Sequence, residues 1–157
     1  MNRPTFAGPD LTRFILTNGN FIKSSILIAR EIPGKENDLS VLLLNKSIKV
    51  IRVGSGNEAL RVFQTNPAVS LVMINAELPG LNGFYTTFEI RKLSSTVPVI
   101  LFVNYVNTDS MRLSILVGCT RMLQNPVDPV ELDTIVNQYL LQPEVYPEPN
   151  YKLITNL

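Results

Sequence analysis

Five short apolar runs limit what this chain can fold into. They are ILIA at 26 to 29, KVIRV at 49 to 53, LVMIN at 71 to 75, VILFV at 99 to 103 and RMLQ at 121 to 124. Segments of helical periodicity lie between and after them, at roughly 36 to 46, 56 to 66, 83 to 93, 108 to 117 and 129 to 141. Strand and helix patterns in alternation are the signature of βαβ units and a parallel sheet. Three of the runs are almost continuously apolar, as expected of strands covered on both faces.

The helix ends carry local signals. Ser55 followed by Glu58 matches a capping box, in which the serine oxygen accepts from a first-turn amide and the glutamate reaches back to the serine N–H. Asp128, Pro129 and Glu131 repeat that logic with a capping acid, a proline where no donor is needed and an acid in the first turn. Behind them Leu132, Ile135, Val136, Tyr139 and Leu140 follow the spacing of one helical face. The chain ends differ in character. QPEVYPEPNYKLITNL has three prolines in its first eight residues, which reads as a tail or linker. Near the other end FILTNGNF surrounds an Asn-Gly turn and suggests an arm or hairpin. The expected organisation is an N-terminal extension over 1 to 23, one domain over 24 to 141 and a C-terminal tail over 142 to 157.

Composition narrows the function. With 45% apolar and 17% charged residues in 157, the chain suits one globular core. Fourteen basic residues balance thirteen acidic ones, in no block of like charge, so neither direct nucleic-acid binding nor a polybasic membrane patch is expected. No apolar run is long enough to span a bilayer, and the first twenty residues lack a secretion signal's apolar stretch. A cytoplasmic protein is expected, unless the chain was cut from a larger one. Cys119 is the only cysteine, so no disulfide can form within the chain, and its VGCT setting reads as a buried packing residue. Histidine is absent altogether, which excludes Ser-His-Asp and Cys-His catalysis, imidazole metal ligation and a phosphohistidine within this chain.

Five strands and five helices in simple alternation suit an α/β flavodoxin-like three-layer α/β/α sandwich, with a five-stranded parallel sheet of order 2-1-3-4-5. Over residues 24 to 141, NAELPGLNG after the third strand, the RKLSSTVPVILFV block and NPVDPVEL after the fifth strand resemble the receiver domains of two-component response regulators. That resemblance implies a phosphate-accepting aspartate at the end of the third strand. It also implies an acidic pair after the first strand that helps hold magnesium, a hydroxyl after the fourth strand and a lysine before a proline after the fifth. Here those positions fall on Asn75, on Arg30 and Glu31, on Val103 and on Asn125. An amide cannot form a stable acyl phosphate, Arg30 puts a cation in the metal's place, and Val103 and Asn125 cannot supply the hydroxyl and the ammonium. The aromatic switch residue of the family falls on Met122.

The resemblance therefore implies a degenerate, pseudo-receiver pocket formed by Arg30, Glu31, Asn75, Glu77, Val103 and Asn125, with no catalytic, cofactor or metal residue. Arg30 is expected either to pair with Glu77 or Glu31 or to point into solvent, because an unpaired buried cation is costly. Asn125 and Pro126 permit the cis bond common at this point in the family. Leu113 and Leu116, three residues apart on the fourth helical segment, align with solvent-facing positions and mark a possible interaction face. The expected function is a non-enzymatic, phosphorylation-independent receiver-like signalling module. Its expected partner is a protein or a second copy docked on the fourth-helix side. One alternative is a small-molecule binding domain of flavodoxin-like shape, although no phosphate-cradling glycine motif follows a strand. The other is an active phosphoacceptor receiver, which would need a nucleophile other than Asn75.

Overall fold

The computed structural model describes residues 24–31 and 48–141. The N-terminal extension, the helical segment at 36 to 46 and the C-terminal tail lie outside the described residues. Strands β1 (Ser25–Ala29), β2 (Lys49–Val53), β3 (Val69–Asn75), β4 (Val99–Val103) and β5 (Arg121–Gln124) form one sheet. Every pairing is parallel and the order is β2-β1-β3-β4-β5, the order expected from the alternation. The described helices are α1 (Gly56–Thr65), α2 (Gly83–Leu93), α3 (Thr108–Val117) and α4 (Pro129–Val136). A π-turn over Asn137–Leu141 continues α4, so the helical segment expected to end at 141 changes its hydrogen-bond pitch in its last turn. The segment called fourth in the sequence is α3.

Each strand divides its side chains between two cores, as period-two alternation requires. Ile26, Ile28, Leu71, Met73, Ile100, Phe102 and Leu123 pack against α4 through Leu132, Ile135, Val136, Tyr139 and Leu140. Leu27, Ala29, Val72, Ile74, Val99 and Leu101 face the opposite way, with Ala59 of α1, Ile90 of α2 and Cys119. The near-continuous apolar runs thus serve two interfaces at once. In β1, β3 and β4 polar side chains have room only where the strands end.

The caps explain where most helices begin. Asp128 accepts from the amide of Val130, with Pro129 in the first turn. Ser55 accepts from the amide of Glu58, but the expected capping box closes differently: the Ser55 hydroxyl donates to Glu58 Oε1 at 3.2 Å, and no bond from the Ser55 N–H to that carboxylate forms. A serine hydroxyl can donate as well as accept, so the short loop satisfies Glu58 through the side chain. The reciprocal box occurs instead at α3, where Asn107 Oδ1 accepts from Ser110 N and Ser110 Oγ accepts from Asn107 N. At its other end α3 stops on Gly118, whose φ of 79° is a left-handed value that a side chain would resist.

Arg91 ties this end of the fold together. Its Nε donates to Gly118 O at 2.6 Å, one terminal nitrogen donates to Ser94 O and Val97 O, and the other to Thr120 Oγ1. Thr120 Oγ1 also accepts from Val99 N, so one guanidinium links the end of α2, the entry to β4, the end of α3 and the entry to β5.

Gly83, the first residue of α2, fixes the other end of the sheet. A Cβ there would collide with the carbonyl oxygen of Asn75 and with Ala76 Cα, so the helix start rests directly on the end of β3. We expect Gly83→Ala to lower stability by about 1–3 kcal/mol, because backbone must move to admit the methyl group. Gly54→Ala is the control, since nothing lies within 4 Å of a Cβ built there. Denaturant unfolding of both variants measures the difference.

Candidate functional site

The carboxyl ends of β3 and β4 open onto a cleft of about 790 Å³. Glu31, Asn75, Glu77 and Val103, four of the residues singled out in the sequence, line it, together with Asn82, Asn104, Tyr105, Asn107 and Ser110. Parallel pairing explains the convergence. Asn75 is in register with Phe102 on β4, and Val103 with Gln124 on β5, so three strands end side by side.

Asn125 follows β5 and reaches this cleft through hydrogen bonds. Its Nδ2 donates to Asn75 Oδ1 at 3.1 Å and to Asn104 Oδ1 at 3.0 Å. Asn75 Nδ2 in turn donates to the main-chain oxygen of Glu77 at 3.1 Å, and Asn104 Nδ2 to Glu77 Oε2 at 3.1 Å. The result is a closed ring of three amides and one glutamate. Asn125 Oδ1 is buried and has no hydrogen-bond partner among the described residues. Leaving an acceptor of this kind unpaired costs about 1–3 kcal/mol. The Asn125–Pro126 peptide bond is cis.

Arg30 takes a third course, neither of the expected ion pairs nor open solvent. Alternation along β1 puts it in line with Ile26 and Ile28, on the sheet face that carries Phe102, and its Cζ lies 5.6 Å from the Phe102 ring centroid. Glu31, one residue on, is exposed, and Glu77 is already engaged by Asn104. Among the described residues the ion pairs are Lys92–Glu89 and Arg121–Glu131, so Arg30 makes no ion pair with either glutamate.

Asn104 was absent from the residues picked out in the sequence. A single asparagine after a strand has no motif to distinguish it, and only the fold shows that it joins Asn125 to Glu77. The donor set does not fit a magnesium ion, which takes oxygen ligands, carboxylates among them, in a tight octahedron. Asn75 turns an N–H toward the Glu77 carbonyl, and among the described residues no three groups of metal-ligand type gather.

Away from the cleft, Leu113 and Leu116 are 44% and 68% exposed on α3, alongside exposed Met111 and Ile115. Met111, Ile115 and Met122 line a smaller groove between α3 and β5. Among the described residues no helix is long and apolar enough to cross a membrane.

Comparison with known proteins agrees with the α/β sandwich and its cleft at the strand ends. Residues 26–137 match the response regulator receiver domain, and the chain belongs to that family. Similar relatives include an uncharacterized 14.6 kDa protein of Leptolyngbya boryana, 26% identical over 74% of this chain and 89% of that one. The sensor histidine kinase GacS of Pseudomonas protegens is 27% identical over 62% of this chain but only 11% of its own length. Among solved structures, the signal receiver domain of an HD domain-containing protein from Pseudomonas fluorescens superposes with a TM-score of 0.70 at 22% identity, covering 79% of this chain and 99% of that one. The chain is therefore a receiver domain of two-component signalling, and it spans about half or less of several of its longer relatives.

Cys119 is buried, and burial pushes its thiol up to about 11, although the Ser114 hydrogen bond and the Arg91 charge act in the other direction. The raised value means that the folded state favours the neutral thiol. Its contribution to stability is whole below the ordinary value of 9.0 and is lost as pH rises through about 11. At pH 8 the folded thiolate fraction is about a hundredfold below that of a free thiol. Iodoacetamide should therefore label the native protein at least that much more slowly than the urea-unfolded chain.

Proposed function

We propose that this receiver domain acts without phosphorylation or any enzymatic step of its own, as a protein-interaction module of a two-component regulatory system. The observation that carries this reading is Asn75 at the end of β3, an amide whose nitrogen donates to the Glu77 carbonyl and whose oxygen accepts from Asn125. A receiver needs an ionised carboxylate there to attack phosphorus, and charged groups to offset the incoming phosphoryl charge. The described lining of the cleft includes two glutamates and no lysine or arginine, which disfavours a phosphoryl group further. Val103 and Asn125, in the hydroxyl and lysine positions implied by the family, support the same reading.

The partner surface that best suits this module is α3, where Leu113 and Leu116 remain exposed beside Met111 and Ile115. A cytoplasmic setting accords with the reading, since the histidine kinases and regulators of such systems exchange signals there. Incubation with acetyl phosphate and magnesium should give no phosphorylated species on a phosphate-affinity gel. Magnesium with beryllofluoride should leave the melting temperature unchanged. A saturable thermal shift, or acid-labile phosphate on the chain, would return the domain to the phosphoacceptor class.

A further inference from the structure

We infer that Asn104 is the positioning residue of a ligand-independent clasp, which holds the loops after β3, β4 and β5 together and fixes the exposed Tyr105–Val106 segment next to α3. The direction of every bond in the ring follows from Glu77. Its main-chain oxygen and its carboxylate can only accept, so Asn75 and Asn104 must each turn their NH2 group toward it. Both Oδ1 atoms then face Asn125, which has a single orientation that serves them, with one N–H to each. That orientation leaves Asn125 Oδ1 a buried acceptor with no hydrogen-bond partner among the described residues, the cost of serving both neighbouring oxygens.

The clasp reaches the surface through a short path. Tyr105 is 77% exposed and Val106 46% exposed, directly after Asn104. Ser110 Oγ lies 3.3 Å from the main-chain oxygen of Tyr105 and 3.0 Å from that of Asn107, which share its one O–H, and Asn107 caps α3. Asn104 thus anchors one end of a four-residue loop whose other end is the helix cap. A receiver that lacks a phosphoryl group to draw these loops together has them joined by its own side chains.

The test is nitrogen-15 NMR on the ligand-free domain, reading exchange of the Asn125 side-chain NH2 with water and the order of residues 104 to 107. Two hydrogen bonds are lost in Asn104→Ala, and Asn104→Asp loses the donor to Glu77 while keeping its shape. Asn104→Ala should speed the Asn125 exchange by about tenfold and loosen the loop. Asn104→Asp keeps an acceptor for Asn125 but sets a carboxylate against that of Glu77, so it should loosen the loop. Protection of the β4 amides should not change. The double variant Glu77→Gln with Asn104→Asp swaps donor and acceptor across the same bond, and it should restore an ordered loop.

Free-amide exchange of Asn125 in the unaltered protein would overturn the clasp. So would an Asn104→Ala variant that exchanges like the parent, or a double variant whose loop is no better ordered than that of Asn104→Asp alone. Because no phosphoryl donor is present, these outcomes are separate from the acetyl phosphate result, and either reading can fail without the other.

Discussion

Parallel pairing of strands buried on both faces is the constraint from which the remainder of this molecule follows. With α4 on one side and α1 and α2 on the other, no interior position of β1, β3 or β4 can carry a charge without strong desolvation. Hydrogen-bonding side chains are confined to the strand ends, and parallel register brings the ends of β3, β4 and β5 to one edge. Gly83 and Arg91 then act at opposite ends of the sheet. The first lets α2 begin on the backbone of Asn75, and the second gathers the carbonyls and hydroxyl that surround the entry to β4.

The site built on that edge is held by amide hydrogen bonding. A cluster of carboxylates at one strand edge repels itself and needs a cation to stand. Three asparagines need none, since each amide both donates and accepts. The one carboxylate in the ring, that of Glu77, receives an N–H from Asn104 and faces the cleft mouth, where water lowers its cost. Among the described residues, Arg30 sets its guanidinium over the Phe102 ring. The described side chains of this edge satisfy one another, except that Asn125 Oδ1 has no hydrogen-bond partner among them.

The sequence made the strands legible because burial on both faces leaves nothing but apolar residues in their interiors. β1 and β3 begin slightly earlier than the apolar runs, at Ser25 and Val69, since Ser25 and Ser70 are buried polar residues that interrupt the pattern without ending the strand. α4 was equally plain, with Asp128 and Pro129 marking its start and Leu132 to Leu140 its buried face. What escaped were interactions between distant residues with no local signature. Arg91 reads as an ordinary helical arginine, yet it bonds residues 27 and 29 positions away. Arg30 was expected in an ion pair or in solvent because only its charge was weighed, and the alternation of β1 places it over an aromatic face that neither reading included.

α3 shows how the two ends of the site bear on its surface. Ser114 is the only buried residue of this ten-residue helix, so packing against the core contributes little to holding it. A helix of this length is marginal without tertiary support, and it must therefore rely on its ends. At the start are Asn107, Ser110 and the loop tied down by Asn104; at the finish are Gly118 and the Arg91 guanidinium on its carbonyl oxygen. Fixing a helix by its termini leaves its sides unoccupied, which is why Met111, Leu113, Ile115 and Leu116 can all remain exposed without loosening the fold. The loop that leads into α3 is in turn bonded to the strand-end amides, so the helix start and the cleft share one set of hydrogen bonds.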